Sequence, residues 1–188
     1  NPNELTGKHL PPKELKKWYE KNEDFVVVDM RNDYEFKVGH FKNSVNPKLE
    51  NSRDLPKILP ELENLKGKKV LTVCTGGVRC EKMSGYLLKK GFKEVYQLDG
   101  GMHSYMEKFP GEDFLGTLYT FDNRVVMDFG GKREVISECE KCKEKSERYV
   151  NCANDFCHTH VAVCENCSEA DGPVFCQESC KESQKVTV

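Results

Sequence analysis

Over its first two thirds the 188-residue chain alternates apolar runs with amphipathic stretches. Phe25-Val-Val-Val-Asp-Met30 is a nearly unbroken apolar run, as expected of a strand buried on both faces. Lys69–Val73 and Glu94–Leu98 read as two further strands. Helical patterns lie between them. Residues 13–21 follow Pro11-Pro12 and turn Trp18 and Tyr19 toward a core. Residues 34–38 follow Asp33 as a cap. Residues 53–65 read as a helix broken near Pro56 or Pro60. Residues 80–90 carry Met83, Tyr86, Leu87 and Leu88 on one side, with Gly91 as the C-terminal stop. Residues 102–109 are entered from Asp99-Gly-Gly101 and stopped by Pro110. Strands alternating with helices predict an α/β fold with a mostly parallel sheet and flanking helices.

Beyond residue 110 the pattern weakens. Residues 1–110 form the sheet domain and residues 111–137 a connecting arm, with strand character at 117–121 and 124–129 around a turn at Asp122-Asn123. Residues 138–182 are polar and hold eight of the ten cysteines. They have too few large apolar side chains for a core, so they form a small cysteine-rich module that needs staples. Residues 183–188 are a tail, with disorder expected from Lys181 onward.

Composition narrows the function classes. No apolar run approaches the ~20 residues of a membrane helix, and no signal peptide is visible. A reducing, cytoplasmic location is therefore expected, with no membrane partner, and it favours metal ligation over disulfides. The chain begins at Asn1 rather than Met, which reads as a fragment lacking an N-terminal part. The net charge is −2. The excess of acid lies in residues 126–188, while the first two thirds are slightly basic. Neither part is the basic patch that announces nucleic-acid binding, so an RNA partner would need further binding surface.

The most telling chemistry is Cys74-Thr-Gly-Gly-Val-Arg79, which follows a buried strand and opens a helix. Such a turn points backbone N–H groups inward at the positive end of the helix dipole, making an anion cradle. The same field stabilises a thiolate, the reactive form of cysteine. Cys74 is thus the candidate nucleophile or persulfide carrier, and Thr75, Gly76, Gly77, Val78 and Arg79 form the cradle. In parallel sheets ligands bind at the carboxyl ends of strands, where Cys74 lies. Cysteine phosphatases separate Cys and Arg by five residues, whereas here four intervene, a tighter ring suited to a single sulfane sulfur. Cys74 and Cys80 are too far apart for a Cys-x-x-Cys redox motif. Cys80 either resolves an oxidised Cys74 or packs at the helix start. No flavin or nicotinamide fingerprint is evident, nor an iron-binding facial triad.

These motifs resemble the rhodanese family. Val26-Val-Val-Asp29-Met-Arg31 with Glu35 and Gly39-His40-Phe41 resembles its first signature. Cys74 to Arg79 resembles its active loop. Val95-Tyr-Gln-Leu-Asp-Gly-Gly101 with Tyr105 resembles its closing signature, Tyr105 standing where tryptophan is common. A narrower resemblance, to the rhodanese-like tRNA uridine hydroxylases, rests on Cys74-Thr-Gly-Gly-Val-Arg-Cys-Glu-Lys82, Phe121-Asp-Asn-Arg-Val125 and Asn151-Cys-Ala-Asn-Asp-Phe-Cys157. It implies oxygen-dependent formation of 5-hydroxyuridine at the tRNA wobble position, with molecular oxygen as cosubstrate and tRNA as partner. It also implies a ferredoxin-like domain ahead of the rhodanese domain. Cys74 would be catalytic, the amides of Thr75 to Arg79 would hold its sulfur, and Arg79 would add charge. Asp29, Arg31 and Glu35 read as an ion-pair and capping set, His40 as a hydrogen-bonded turn residue, and His103 as a surface helix residue.

The eight late cysteines pair as Cys139/Cys142, Cys152/Cys157, Cys164/Cys167 and Cys176/Cys180, which divide into two zinc sites of four thiolates. Two arrangements are open. A sequential one joins Cys139, Cys142, Cys152 and Cys157, then Cys164, Cys167, Cys176 and Cys180. An interleaved one joins Cys139 and Cys142 with Cys164 and Cys167, and Cys152 and Cys157 with Cys176 and Cys180. His158 or His160 could replace a cysteine, and free thiols or oxidised bridges are the alternative to metal. With four protein ligands apiece the zinc would be structural. The module's acidity favours docking on the sheet domain over contact with tRNA. Two rivals to hydroxylation stand: a sulfurtransferase carrying a Cys74 persulfide from thiosulfate or a similar donor, and a zinc-stabilised adaptor without activity.

Overall fold

Lys8–Leu10 (β1) leads into helix α1 (Pro12–Glu20), followed by β2 (Val26–Asp29), α2 (Asp33–Val38) and β3 (Gly39–Phe41). A short helix α3 (Leu55–Ile58), flanked by 3-10 turns, precedes β4 (Lys69–Val73), α4 (Val78–Lys89), β5 (Glu94–Leu98) and α5 (Gly101–Lys108). Strands β1, β5, β4 and β2 form one sheet in that order, every neighbouring pair parallel. Leu71 of β4 stands level with Val27 on one side and Tyr96 on the other. Three short strands follow: β6 (Phe114–Gly116), which pairs antiparallel with β3, then β7 (Leu118–Tyr119) and β8 (Val126–Met127), which pair with each other. The computed structural model describes residues 3–120, 125–131, 134–157, 159–170 and 172–184. The chain divides into two compact units, Asn1–Glu134 and Val135–Val188.

Alternation along the strands builds two cores in the first unit. On one face Val28 and Val70 pack with Leu49, Leu62, Leu87, Cys74 and Cys80. On the other Val27, Leu71 and Val73 meet Leu15, Trp18, Met102 and Tyr105. Aromatic rings fill the second face. Trp18 meets Tyr96 edge-on at 5.1 Å, and Phe41 meets Tyr105 at 5.0 Å.

Several boundaries differ from the sequence reading. Asn32, not Asp33, caps α2, and the Glu35 carboxylate accepts the Asn32 backbone N–H at 3.0 Å. Asp33 is the first helical residue and pairs with Lys37 one turn on, at 2.7 Å. Residues 53–65 break at Pro60, where the α-turn passes into a 3-10 stretch, Leu59–Leu65. Pro56 is tolerated in the opening turn of α3, where its N–H is not needed. Strands β1 and β3 were not expected, because three-residue edge strands carry too little alternation to be read.

The second unit contains an antiparallel pair, β9 (Tyr149–Asn151) and β10 (His160–Ala162), and two helices, α6 (Glu165–Ala170) and α7 (Glu178–Gln184). Its apolar centre is Val161, Val163, Val174 and Cys139. Helix α7 corrects the expected disorder for residues 181–184. The Asn154 side chain donates to the Cys180 carbonyl at 2.9 Å and to Ser183 Oγ at 2.8 Å, tying the helix down. The turn at Asp122-Asn123, most of the motif at 121–125, His158 and residues 185–188 lie outside the described residues. Among the described residues no helix is long and apolar enough to cross a membrane.

Candidate active site and cysteine clusters

Cys74 stands directly after β4, on the face it shares with Val70, Cys80 and Leu87. The chain then turns through Thr75-Gly76-Gly77 into α4, which begins at Val78, two residues earlier than its apolar pattern suggests. Gly77 caps this helix with φ +91°, a left-handed conformation that favours glycine. The loop is clamped from behind by the start of α5. Met102 N–H donates to the Cys74 carbonyl at 2.9 Å, and His103 N–H to the Thr75 carbonyl at 3.0 Å. Gly101 permits this approach. With φ +66°, a Cβ there would stand 2.5 Å from the Thr75 carbonyl oxygen and 2.6 Å from the Gly77 nitrogen.

The Cys74 sulfur lies inside the loop, the residue being 1% exposed, while Val78 beside it is 81% exposed. Burial of a thiol by itself opposes ionisation. Here the Cys80 thiol hydrogen-bonds to the Cys74 sulfur, the largest influence, and overcomes that burial. The Arg79 charge and the backbone N–H groups of Cys80 and Arg79 add to it, bringing the Cys74 thiol down to about 6. Cys80, wholly buried, is pushed the other way by burial and by its contact with the Cys74 charge.

Arg79 also locks the loop to α2. Its guanidinium donates to both oxygens of the fully buried Glu35, at 2.6 and 2.8 Å, and to Thr75 Oγ at 3.1 Å. Burial works against the Arg79 charge, but Glu35 outweighs it and keeps the guanidinium protonated. Thr75 Oγ donates to Glu35 Oε1 at 3.3 Å. The sequence reading of Asp29, Arg31 and Glu35 as an ion-pair and capping set holds in part. Asp29 and Arg31 form a fully buried pair at 2.7 Å, and Arg31 also donates to the Gly39 carbonyl at 2.6 Å. Glu35, however, pairs with Arg79 in the loop. Nothing in the spacing of 44 residues signals that contact. His40 Nδ1 is 2.9 Å from the Phe36 carbonyl, so the expected hydrogen bond is there, but His40 sits in strand β3 opposite Leu115 rather than in a turn. The His103 ring rests on Phe129 beside Glu107, while its backbone, unlike its side chain, serves the loop. Tyr105 lies in the core and donates to Asp113 at 2.7 Å.

The family model described as "Rhodanese-like domain" matches residues 11–108, more than half of the chain. The chain belongs to the rhodanese family. A second family model, "Rhodanase C-terminal", matches residues 115–181 of this rhodanese-family chain. A relative from Cytophaga hutchinsonii named tRNA uridine(34) hydroxylase is 48% identical over 96% of the chain and 58% of its own length. One of the same name from Bacillus mycoides is 44% identical over 96% of the chain and 57% of its own. This rhodanese-family chain therefore spans a little under three fifths of the length of those relatives. A rhodanese-like domain protein from Staphylococcus aureus, of known crystal structure, is 31% identical over 52% of this chain and 90% of its own, with a TM-score of 0.45.

The late cysteines gather in the interleaved arrangement. Cys139, Cys142, Cys164 and Cys167 form one group, and Cys152, Cys157, Cys176 and Cys180 the other. Within each group all four sulfurs lie within 4.8 Å of one another. His160 belongs to neither. Cys142 and Cys164 sulfurs are 3.6 Å apart, and Cys176 is 3.5 Å from both Cys157 and Cys180. Two thiolates at ~2.3 Å on a tetrahedral ion stand roughly 3.8 Å apart, so the donor set fits zinc. All ten cysteines are free of disulfides. Pairing is interleaved because the β9–β10 hairpin folds the first cysteines back onto the later ones.

Two outcomes follow for the loop. Alkylation of Cys74 by iodoacetamide, followed by peptide mapping, should rise with pH through a midpoint near 6, where an ordinary thiol, near 9, would remain protonated. Glu35→Gln should leave the Arg79 guanidinium facing a neutral amide in place of its carboxylate. It should lower stability by roughly 1–3 kcal/mol in urea denaturation and raise the pH midpoint of Cys74 alkylation as the loop loosens.

Proposed function

We propose that this chain is the catalytic rhodanese part of an enzyme that hydroxylates the wobble uridine of tRNA to 5-hydroxyuridine, with Cys74 as its essential residue and molecular oxygen as cosubstrate. The observation carrying this reading is the identity with relatives named tRNA uridine(34) hydroxylase across 96% of the chain. The loop from Cys74 to Arg79 is intact, and its sulfur is held ionised by a thiol, an arginine and two amides. A thiolate is also a chemically sensible group for the task. Added to C6 of a uracil ring, it makes C5, the position to be hydroxylated, electron-rich. Thr75, Gly76, Gly77, Val78 and Arg79 serve as the cradle, with Arg79 positioned by Glu35. The tRNA substrate supports a cytoplasmic location and engages surface beyond this segment, in the part of the relatives' length that the chain does not span.

The two four-cysteine groups are proposed as structural zinc sites. Their donors are all sulfur, their spacing suits a tetrahedral ion, and no ligand position is left for substrate. When bound, zinc would replace the large core that residues 135–188 lack.

A second reading is sulfur transfer from thiosulfate or a similar donor through a Cys74 persulfide. The four-residue spacing between Cys74 and Arg79 and the close wrapping of the sulfur favour it. Fold does not choose between the two.

In a strain lacking the gene, mass spectrometry of tRNA nucleosides should record loss of 5-hydroxyuridine derivatives. The full-length protein should restore them and its Cys74→Ala variant should not; restoration by Cys74→Ala would defeat the reading. Cyanide-dependent turnover of thiosulfate without any tRNA change would favour the sulfurtransferase. Metal analysis should find two zinc ions per chain, one for each cysteine group. Cys142→Ser should bind half as much, and a strong chelator should abolish the far-ultraviolet signature of β9, β10, α6 and α7.

A further inference from the structure

Cys74 and Cys80 are the two cysteines of the first unit, and both are free and buried. Cys80 is the third residue of α4 and occupies the core immediately beneath the loop, in the same packed cluster as Cys74. A cysteine that merely filled space there would need no polar partner. Instead it packs in one cluster with Cys74, and each of the two thiols is the other's polar neighbour and shifts its ionisation. A thiol in contact with a thiolate is a pair of prospective reactants.

We propose that Cys80 is the resolving thiol of Cys74, converting an oxidised Cys74 into a reversible Cys74–Cys80 disulfide before the sulfur is oxidised beyond repair. The inference rests on the reading of Cys74 as a reactive thiolate. The oxidant is a peroxide. The Cys74 thiolate attacks one peroxide oxygen, the O–O bond breaks, and with a proton from solvent the products are Cys74 sulfenic acid and water. The sulfenic sulfur is now electrophilic and uncharged. Two of the influences that keep Cys80 protonated, its hydrogen bond to the Cys74 thiolate and that charge itself, are thereby removed. Cys80 attacks the Cys74 sulfur, the S–O bond breaks, and the hydroxyl leaves with the Cys80 proton as a second water. A dithiol then reduces the disulfide by exchange and is itself oxidised, returning both cysteines as thiols. An oxygen-using enzyme whose nucleophile is ionised at neutral pH has particular need of such protection.

The test uses the full-length protein treated with hydrogen peroxide, blocked with an alkylating agent and digested with trypsin. Cleavage after Arg79 places the two cysteines on separate peptides, residues 70–79 and 80–82. The eight cysteines of the second unit do not enter the measurement. In the wild type the two peptides should be found joined, and dithiothreitol should separate them and restore activity. In Cys80→Ser the joined species should be absent, and Cys74 should pass to sulfinic acid, from a trace product to the main one. Cys80→Ala, checked by circular dichroism, controls for loss of the hydrogen bond. Sulfinic acid accumulating on wild-type Cys74 as fast as in Cys80→Ser, with no joined peptide, would overturn the proposal and leave the thiolate intact. Cys74 inert to peroxide in every protein would overturn the thiolate reading as well.

Discussion

The ion pair between the buried Glu35 and the partly exposed Arg79 is the constraint on which the site depends. Glu35 is wholly inaccessible and serves three segments at once: it closes the first turn of α2 through Asn32, accepts from Thr75, and holds both arms of the Arg79 guanidinium. Burying two charges costs solvation that the pair alone repays poorly. What the pair provides is one position for a glycine-rich loop that would otherwise have many. Behind the loop, the amides of Met102 and His103 donate to the carbonyls of Cys74 and Thr75 and fix its course. Burial alone would raise the Cys74 thiol; the Cys80 thiol first, and then the Arg79 charge that Glu35 positions, bring it down to about 6.

The two halves of the molecule are stabilised by different physics. The first unit has a parallel sheet with a core on each face, and its strands carry few polar positions. The second has four buried members in its apolar centre, one of them a cysteine, while Phe156 is 87% exposed. Apolar burial on that scale is too small to order some fifty residues against chain entropy. The interleaved cysteine groups set early loops against late ones, and a metal ion held by each group, as proposed, would supply the folding energy that so polar a sequence lacks.

Much of this could be read from the residues. Lys69–Val73 and Glu94–Leu98 are legible to the residue, because each is a short, mostly apolar run bounded by turn residues. The helices read at 13–21 and 80–90 from their apolar spacing lie at Pro12–Glu20 and Val78–Lys89, and the Cys74 loop is legible from its glycines. Less was legible where signals are short or distant. Strands β1 and β3 are three residues each and are defined by partners far along the chain. Asp33 and Asn32 are equally good caps by composition, and only the reach of Glu35 back to the Asn32 amide selects between them. Gly101 reads as a turn glycine, although its close approach to the backbone of Cys74 and Thr75 is what makes it necessary there.

The sequence by itself determined the alternation of β2, β4 and β5 with the longer helices, and the four cysteine pairs, because these are local matters of periodicity, turn chemistry and spacing. Tertiary structure alone decided that Glu35 meets Arg79, that Cys80 touches Cys74, and that the cysteine pairs interleave. Such contacts join groups from 6 to 44 positions apart. Local pattern carries no information about them, since folding, by packing the sheet faces and closing the hairpin, sets which buried polar groups must satisfy one another.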